Sequence, residues 1–130
     1  MKKKIIITGG LGYIGTELCK LYSGVSWNHE IIVIDNRFIS ERINQLRNWN
    51  IEFVQGDILD RELITKYFKD ADTVHHLAGI TDVPRVKSES SQIQDERIKE
   101  VAEKGTQNIL DIIPKTVSYT HLRAHETIAD

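Results

Sequence analysis

The segment with the clearest chemical potential is a cluster of glycines that follows a short apolar run. Residues 5–7 are isoleucines, and they lead into Thr8-Gly9-Gly10-Leu11-Gly12-Tyr13-Ile14-Gly15, which contains both G-x-G-x-x-G and G-x-x-G-x-x-G. Glycines allow a tight turn, close approach of the backbone to a pyrophosphate, and close packing of a helix on a strand. The start of that helix favours an anion. The segment therefore predicts a phosphate site, with a ligand-free glycine turn as the alternative on this pattern alone.

A carboxylate lies at the distance that a dinucleotide site requires. Residues 30–35 form a second β-branched run that ends in Asp35, and Asp35 follows Gly15 by 20 residues. An acid at this distance, at the end of the second strand, can accept hydrogen bonds from ribose hydroxyls. It would repel a 2′-phosphate, so the sequence favours NAD, and NADP is the less favoured cofactor. Arg37 keeps the second cofactor open, because an arginine near this position can receive a 2′-phosphate.

The elements that must position these groups alternate along the chain. Apolar runs predict strands at residues 3–8, 30–35 and 51–54, and a fourth strand within residues 72–79 that runs into a turn of small residues. The spacing of apolar residues predicts helices at 12–22, 38–49, 61–68 and 88–113. Alternation of this kind predicts an α/β, Rossmann-type doubly wound parallel sheet with right-handed crossovers. Asp57 follows the third strand, where open α/β sheets bind ligands.

Composition excludes several other classes of protein. The chain has 130 residues and a net charge of −2, which predicts one globular domain without a general attraction to nucleic acid or to an anionic membrane. The single Cys19 fits a reducing cytoplasm, and the first apolar run is too short for a signal sequence or a membrane span. His75 and His76 are adjacent on a predicted strand, so they point to opposite faces and no metal site is expected.

Several segments resemble one enzyme family, in the order that the family has them. Residues 8–15 resemble the T-G-x-x-G-x-x-G turn of extended short-chain dehydrogenases/reductases, the NAD-dependent epimerase/dehydratase family. Residues 35–36 resemble its ribose-binding pair, 56–58 its G-D-[IL] segment beside adenine, 76–79 its H-L-A-A turn, and 105–110 its G-T-x-N-L-L stretch. The resemblance covers residues 3–113, and it departs from the family at Ala102, which stands where an Asn is usual, and at Gly79.

The resemblance implies a set of cofactor contacts and a reaction. The implied cofactor-binding residues are Gly9, Gly12, Tyr13, Ile14, Gly15, Asp35, Asn36, Asp57, Ile58, Leu77, Ala78 and Gly79. Family members oxidise a hydroxyl of a nucleotide sugar by hydride transfer to NAD, and they often form dimers. The expectation is therefore that this chain is the NAD-binding part of such an enzyme, with a homodimer only at full length. The alternative is a non-catalytic NAD(P)-binding sensor of the same fold.

The family's catalytic residues have no counterpart here. They are a Ser or Thr after the fifth strand and a Tyr-x-x-x-Lys, in which lysine lowers the pKa of the tyrosine that transfers the proton. Tyr119 is followed four residues later by Arg123 instead of lysine. No catalytic residue is assigned, and the chain alone is predicted to be inactive.

The end of the chain is expected to be foreign to the domain. Residues 117–127 resemble a translated sequencing adapter, a transposase mosaic end with its extension. His121, His125 and Glu126 could otherwise be taken for a helical metal site. The prediction is a Rossmann domain at residues 1–116, truncated after about four strands, and a non-native tail at 117–130.

Overall fold

A parallel sheet flanked by helices forms the centre of the computed structural model, which describes residues 2–78 and 89–121. The strands are β1 (Lys3–Thr8), β2 (His29–Asp35), β3 (Glu52–Gln55), β4 (Thr73–His76) and β5 (Ser118–His121). The helices are α1 (Tyr13–Tyr22), α2 (Ser40–Asn48), α3 (Arg61–Phe68) and α4 (Glu89–Ile112), with a short 3-10 helix at Ser26–Asn28. All adjacent strands pair in parallel, in the order β3-β2-β1-β4-β5. The predicted doubly wound sheet is therefore confirmed.

Both faces of the sheet are apolar, as the unbroken β-branched runs predict for central parallel strands. On one face, Ile5 and Ile7 of β1 pack with Val33 of β2 in a core that includes residues of α1 and α2. On the other face, Ile6 belongs to a second core with residues of α3 and α4, among them Phe68. The result is a three-layer arrangement that holds the carboxyl ends of the strands at one edge.

The strand order places a topological switch point between β1 and β4. From β1 the chain proceeds through β2 to β3 on one side, and it then crosses to β4 on the other side. The two connections therefore diverge above the carboxyl ends of β1 and β4. A crevice opens at such a point, and ligands of open α/β sheets bind there.

Helix α4 approaches the sheet closely at one position. A Cβ added at Gly105 would lie 2.1 Å from Cδ1 of Ile58, in the loop after β3. The missing side chain of Gly105 therefore leaves the space that Ile58 fills. This contact joins α4 to the same edge of the sheet as the switch point.

The sheet contains a fifth strand, one more than the sequence predicted. Residues 118–121 pair in register with 73–76 of β4, and Val117 and Tyr119 pack against the second core. The physical reason is the open edge of β4, which can accept any extended segment with an alternating pattern of half-buried side chains. These residues belong to the predicted tail, whose origin stays a prediction. Within the described residues, no helix is both long and apolar enough to cross a membrane.

Candidate functional site

The turn between β1 and α1 lies directly against the residues that follow β4. Gly9 has a φ of +69°, and a Cβ added there would lie 2.7 Å from the backbone N of Ala78. A side chain at Gly9 would therefore be strained and would also push the two loops apart. A Cβ at Gly15 would lie 2.5 Å from the carbonyl oxygen of Gly9, so the first turn of α1 packs on the turn itself.

No acidic or capping side chain of α1 compensates the partial positive charge at the start of this helix. The N-cap residue is Gly12, so no side chain caps the first N–H groups of the helix, and the first turn of α1 contains no acidic residue. In α3, by contrast, Asp60 accepts hydrogen bonds from the N–H groups of Glu62 and Leu63, as its sequence position predicts. The positive end of the α1 dipole is thus left to an anion from outside the helix.

Asp35 links the end of β2 to the glycine turn. Its carboxylate is only 3% exposed, and Oδ2 accepts a hydrogen bond of 3.1 Å from the backbone N–H of Leu11. Oδ1 accepts the backbone N–H of Arg37 at 2.9 Å, and the Asp35 carbonyl oxygen accepts the N–H of Gly56 at 3.0 Å. One residue therefore connects β2, the turn after β1 and the loop after β3.

Two arginines stand beside this carboxylate and the glycine turn. The guanidinium of Arg37 binds Asp35 through Nε to Oδ1 and through Nη2 to Oδ2, each at 3.1 Å. Arg42, on α2, donates through Nη1 to the carbonyl oxygen of Leu11 and lies 5.4 Å from the ring centroid of Tyr13. Sequence reasoning missed Arg42, because its position at the turn depends on how α2 docks, which no local pattern encodes.

The residues predicted around adenine divide into surface and core. Asp57 is exposed, and its Oδ1 accepts the N–H of Leu59 at 2.9 Å. Ile58 is 9% exposed and belongs to the second core, and its carbonyl oxygen accepts a hydrogen bond from Asn108 of α4. Asn36 is exposed directly after β2. Ile58 therefore lies in the core, while Asp57 and Asn36 lie at the surface.

The segment after β4 is held by a hydroxyl of β1. Thr8 is fully buried, and its Oγ1 accepts the N–H of Leu77 at 3.0 Å and the N–H of Ala78 at 3.1 Å. Leu77 packs in the first core, and Ala78 packs against the second. Both side chains therefore pack in or against the cores while their N–H groups are held by Thr8, and Gly79 lies outside the described residues.

A buried imidazole underlies this segment, and sequence reasoning assigned it no role. Nδ1 of His76 lies 2.6 Å from Oγ1 of Thr8, and Nε2 lies 2.9 Å from Oγ1 of Thr106 on α4. The Thr106 hydroxyl donates to the carbonyl oxygen of Ala102, so it accepts from the Nε2–H of His76. Nδ1 must then accept from the hydroxyl of Thr8. The network requires a neutral ring with its proton on Nε2.

The surroundings of His76 favour that neutral form. Burial, and to a smaller extent the charge of the stacked His121, lowers the pKa of His76 from 6.5 to about 3. His75 points to the opposite face, where Nε2 lies 2.7 Å from the hydroxyl oxygen of Tyr22. Burial lowers the pKa of His75 as well. In the part of the chain that the structure describes, no three His, Cys, Asp or Glu residues form a group that could hold a metal.

The sequence-predicted residues thus gather at one edge of the sheet. Those with described side chains or backbone surround the carboxyl ends of four neighbouring strands: the glycine turn after β1, Asp35 and Asn36 after β2, Asp57 and Ile58 after β3, and Leu77 and Ala78 after β4. Direct contacts join the glycine turn to Asp35 and to Ala78.

Comparison with known proteins gives consistent matches. A model of the 3-beta hydroxysteroid dehydrogenase/isomerase family matches residues 6–118. The UDP-glucose 4-epimerase of Neisseria meningitidis serogroup B is 34% identical in an alignment 105 residues long that covers 74% of this chain and 30% of that protein. The dTDP-D-glucose 4,6-dehydratase of Dictyostelium discoideum is 35% identical in an alignment 102 residues long that covers 74% of this chain and 24% of that protein.

A solved structure agrees in fold. DesIV, a dTDP-glucose 4,6-dehydratase from Streptomyces venezuelae with NAD and TYD bound, aligns with a TM-score of 0.62 at 23% identity. The alignment covers 84% of this chain and 35% of DesIV. The chain therefore spans between about a quarter and a third of the length of these proteins.

Proposed function

Because the chain belongs to the 3-beta hydroxysteroid dehydrogenase/isomerase family, within the extended short-chain dehydrogenases/reductases of the NAD-dependent epimerase/dehydratase type, we propose that it is the NAD-binding part of such an enzyme. When bound, the cofactor would accept a hydride as NAD⁺ and return it as NADH. The contribution of this chain is to hold the adenosine and pyrophosphate portions at the switch point.

The observation that carries the proposal is the start of α1. Its N-cap is a glycine without a side-chain hydrogen bond, its first turn has no acid, and it opens at the carboxyl edge of β1 beside Asp35. A pyrophosphate there would meet the positive end of the helix dipole and backbone N–H groups. The close approaches at Gly9 and Gly15 hold the turn tightly against residue 78 and against the first turn of α1, which brings the uncapped helix start to the carboxyl end of β1. A helix start without a capping side chain or an acid fits the pyrophosphate of a dinucleotide.

Each remaining candidate residue has a role in this proposal. Tyr13 and Ile14 bring the first helical N–H groups to the pyrophosphate, and Asp35 with Asn36 takes the adenosine ribose. Asp57 and Ile58 border the adenine, and the backbone of residues 77–79 borders the ribose on the nicotinamide side. NAD is the proposed cofactor, in line with the NAD named in the DesIV structure.

The proposed substrate of the full-length enzyme is a nucleotide sugar. The relatives are named for UDP-glucose and for dTDP-glucose, which share a nucleoside diphosphate and a hexose. The 130-residue chain is proposed to bind NAD without turnover, since neither a Tyr-x-x-x-Lys nor an assigned catalytic Ser or Thr is present in it. Formation of NADH from UDP-glucose by this chain would contradict that assignment.

The test is calorimetric titration of NAD into the chain and into Gly12→Val. Gly12 has φ −76° and ψ 178°, an extended conformation that any residue adopts, so valine should not strain the backbone. We expect NAD affinity to fall at least about tenfold, because the new side chain stands where the pyrophosphate approaches the helix.

The matched control is Gly24→Val. Gly24 lies in the exposed loop after α1, where the nearest atom to an added Cβ is 4.0 Å away. This variant should bind NAD like the original chain. Equal affinities of all three proteins, or no binding to any of them, would refute the proposed site.

A further inference from the structure

The carboxylate of Asp35 has no remaining acceptor position. A carboxylate offers about four lone-pair sites, two on each oxygen. Oδ1 accepts from the backbone N–H and from Nε of Arg37, and Oδ2 accepts from the N–H of Leu11 and from Nη2 of Arg37. With its side chain 3% exposed, Asp35 is satisfied entirely from within the chain.

Two of these four donors are backbone groups, and two belong to a side chain. The N–H groups of Leu11 and Arg37 belong to the backbone of the turn and of the β2 end. The other two belong to one guanidinium, whose side chain is 45% exposed. Its fork binds both carboxylate oxygens side by side. That pairing is the same one that the two hydroxyls of a ribose diol would make.

We propose that Arg37 is an internal competitor of the adenosine ribose for Asp35, and that it thereby sets the preference between NAD and NADP. This inference rests on the proposed function of the site. Binding of a ribose diol to Asp35 requires the guanidinium to leave both oxygens, so NAD binding includes the loss of an ion pair. The backbone bonds to Leu11 and Arg37 remain and keep the carboxylate oriented.

The 2′-phosphate of NADP offers the Arg37 guanidinium a new partner, which NAD does not. The guanidinium released from Asp35 can bind a phosphate with the same fork, so the ion pair is replaced instead of lost. Arg42 adds a second positive charge at the carbonyl oxygen of Leu11, on the other side of the same turn residue. Arg37 therefore weakens NAD binding, favours NADP, and narrows the selectivity that Asp35 alone would give.

The experiment measures the dissociation constants of NAD and NADP for the 130-residue chain and for Arg37→Met. Methionine keeps an apolar stem but removes the guanidinium. The expected result is NAD binding about threefold to tenfold tighter, NADP binding unchanged or weaker, and a correspondingly larger preference for NAD. Arg37→Lys keeps the charge but cannot bind both oxygens with a planar fork, so its NAD affinity should fall between the other two.

The matched control is Arg47→Met, which removes the same charge from an exposed position in the last turn of α2. It should leave both constants unchanged. Unchanged or weaker NAD binding in Arg37→Met would overturn the inference, as would an equal gain in Arg47→Met. Failure of the original chain to bind NAD would instead overturn the proposed function. Circular dichroism of each variant separates a change at the site from a change in folding.

Discussion

At the scale of single residues, His76 is the least expected feature of the candidate site. Its ring connects β1, β4 and α4 through Thr8 and Thr106, and Thr8 in turn orients the N–H groups of residues 77 and 78. The hydrogen bonds need a neutral imidazole, because a protonated Nδ1 would meet a hydroxyl that already accepts two N–H groups. The residue therefore couples the stability of the fold to pH.

The sign of that coupling follows from the pKa. In the unfolded chain His76 should titrate near 6.5, and in the folded chain its pKa is about 3. Between these values the unfolded state binds more protons, so the free energy of unfolding falls as the pH falls, by up to about 1.4 kcal/mol per pH unit from this group. Urea denaturation at pH 6.5 and pH 4.5 measures the slope.

The variant His76→Gln provides the comparison. It should be less stable at neutral pH by about 1–3 kcal/mol, because a buried bond is lost or distorted. Its stability should also change less between the two pH values, since the remaining titrating groups are common to both proteins. Equal slopes in the two proteins would show that His76 does not control the pH dependence.

Some residues of this candidate site could be predicted from the sequence, and others could not. The glycines and Asp35 were predictable, because their roles follow from missing Cβ atoms and from a fixed chain distance. Asp60 was predictable as a helix cap because an aspartate directly before a helix can accept the N–H groups of its first turn. Arg42 and the roles of His76 and Thr106 were not, because each depends on a partner at least 30 residues away in the chain.

At the scale of elements, α4 shows how a helix interior can depend on a glycine. Glycine normally weakens a helix by about 1 kcal/mol relative to alanine. At Gly105 that cost is tolerated because Ile58 occupies the space where a Cβ would stand. Among the described residues, the sequence indicated strands β1 to β4 and helices α1 to α4 through apolar runs and periodicity. It could not predict this contact, which joins a helix to a loop residue 47 positions earlier in the chain.

The element-scale prediction is a double-mutant cycle. Gly105→Ala should destabilise the chain by about 1–2 kcal/mol, because overpacking against buried Ile58 outweighs the gain in helix propensity. In an Ile58→Ala background the same change should be neutral or stabilising, since the nearest side-chain carbons are gone. Urea denaturation of the four proteins gives the coupling energy. Additive effects would mean that the two residues do not compete for space.

At the scale of the whole molecule, the edge of the sheet beside β4 is formed by residues whose origin is a prediction. Strand β5 covers the edge of β4, yet its residues come from the segment that resembles adapter sequence. The pairing shows only that residues 118–121 suit this edge, and parallel pairing with half-buried alternation is available to many sequences. The division between residues 1–116 and 117–130 therefore stays a prediction. Sequencing the gene from an independently prepared library tests it.

The molecular-scale prediction concerns that edge. A chain that ends at Thr116 would leave β4 unpaired on one side, and an exposed edge strand next to buried apolar residues promotes association. We expect light scattering to show oligomers or aggregates at concentrations where a chain ending at His121 is monomeric. Two monodisperse monomers would contradict the expectation, and two aggregating chains would show that β5 does not protect the edge.

The glycine turn has a consequence for how other sequences are interpreted. Gly9, Gly10 and Gly15 are required by packing, since a Cβ would lie within 2.5–2.7 Å of Ala78, Val33 or the turn itself. A descendant that had lost its nucleotide would still need these three to fold. Gly12, with φ −76° and ψ 178°, has a backbone conformation that any residue adopts. The presence of these three glycines in a related sequence therefore indicates the architecture of the turn, and it does not by itself indicate a bound nucleotide.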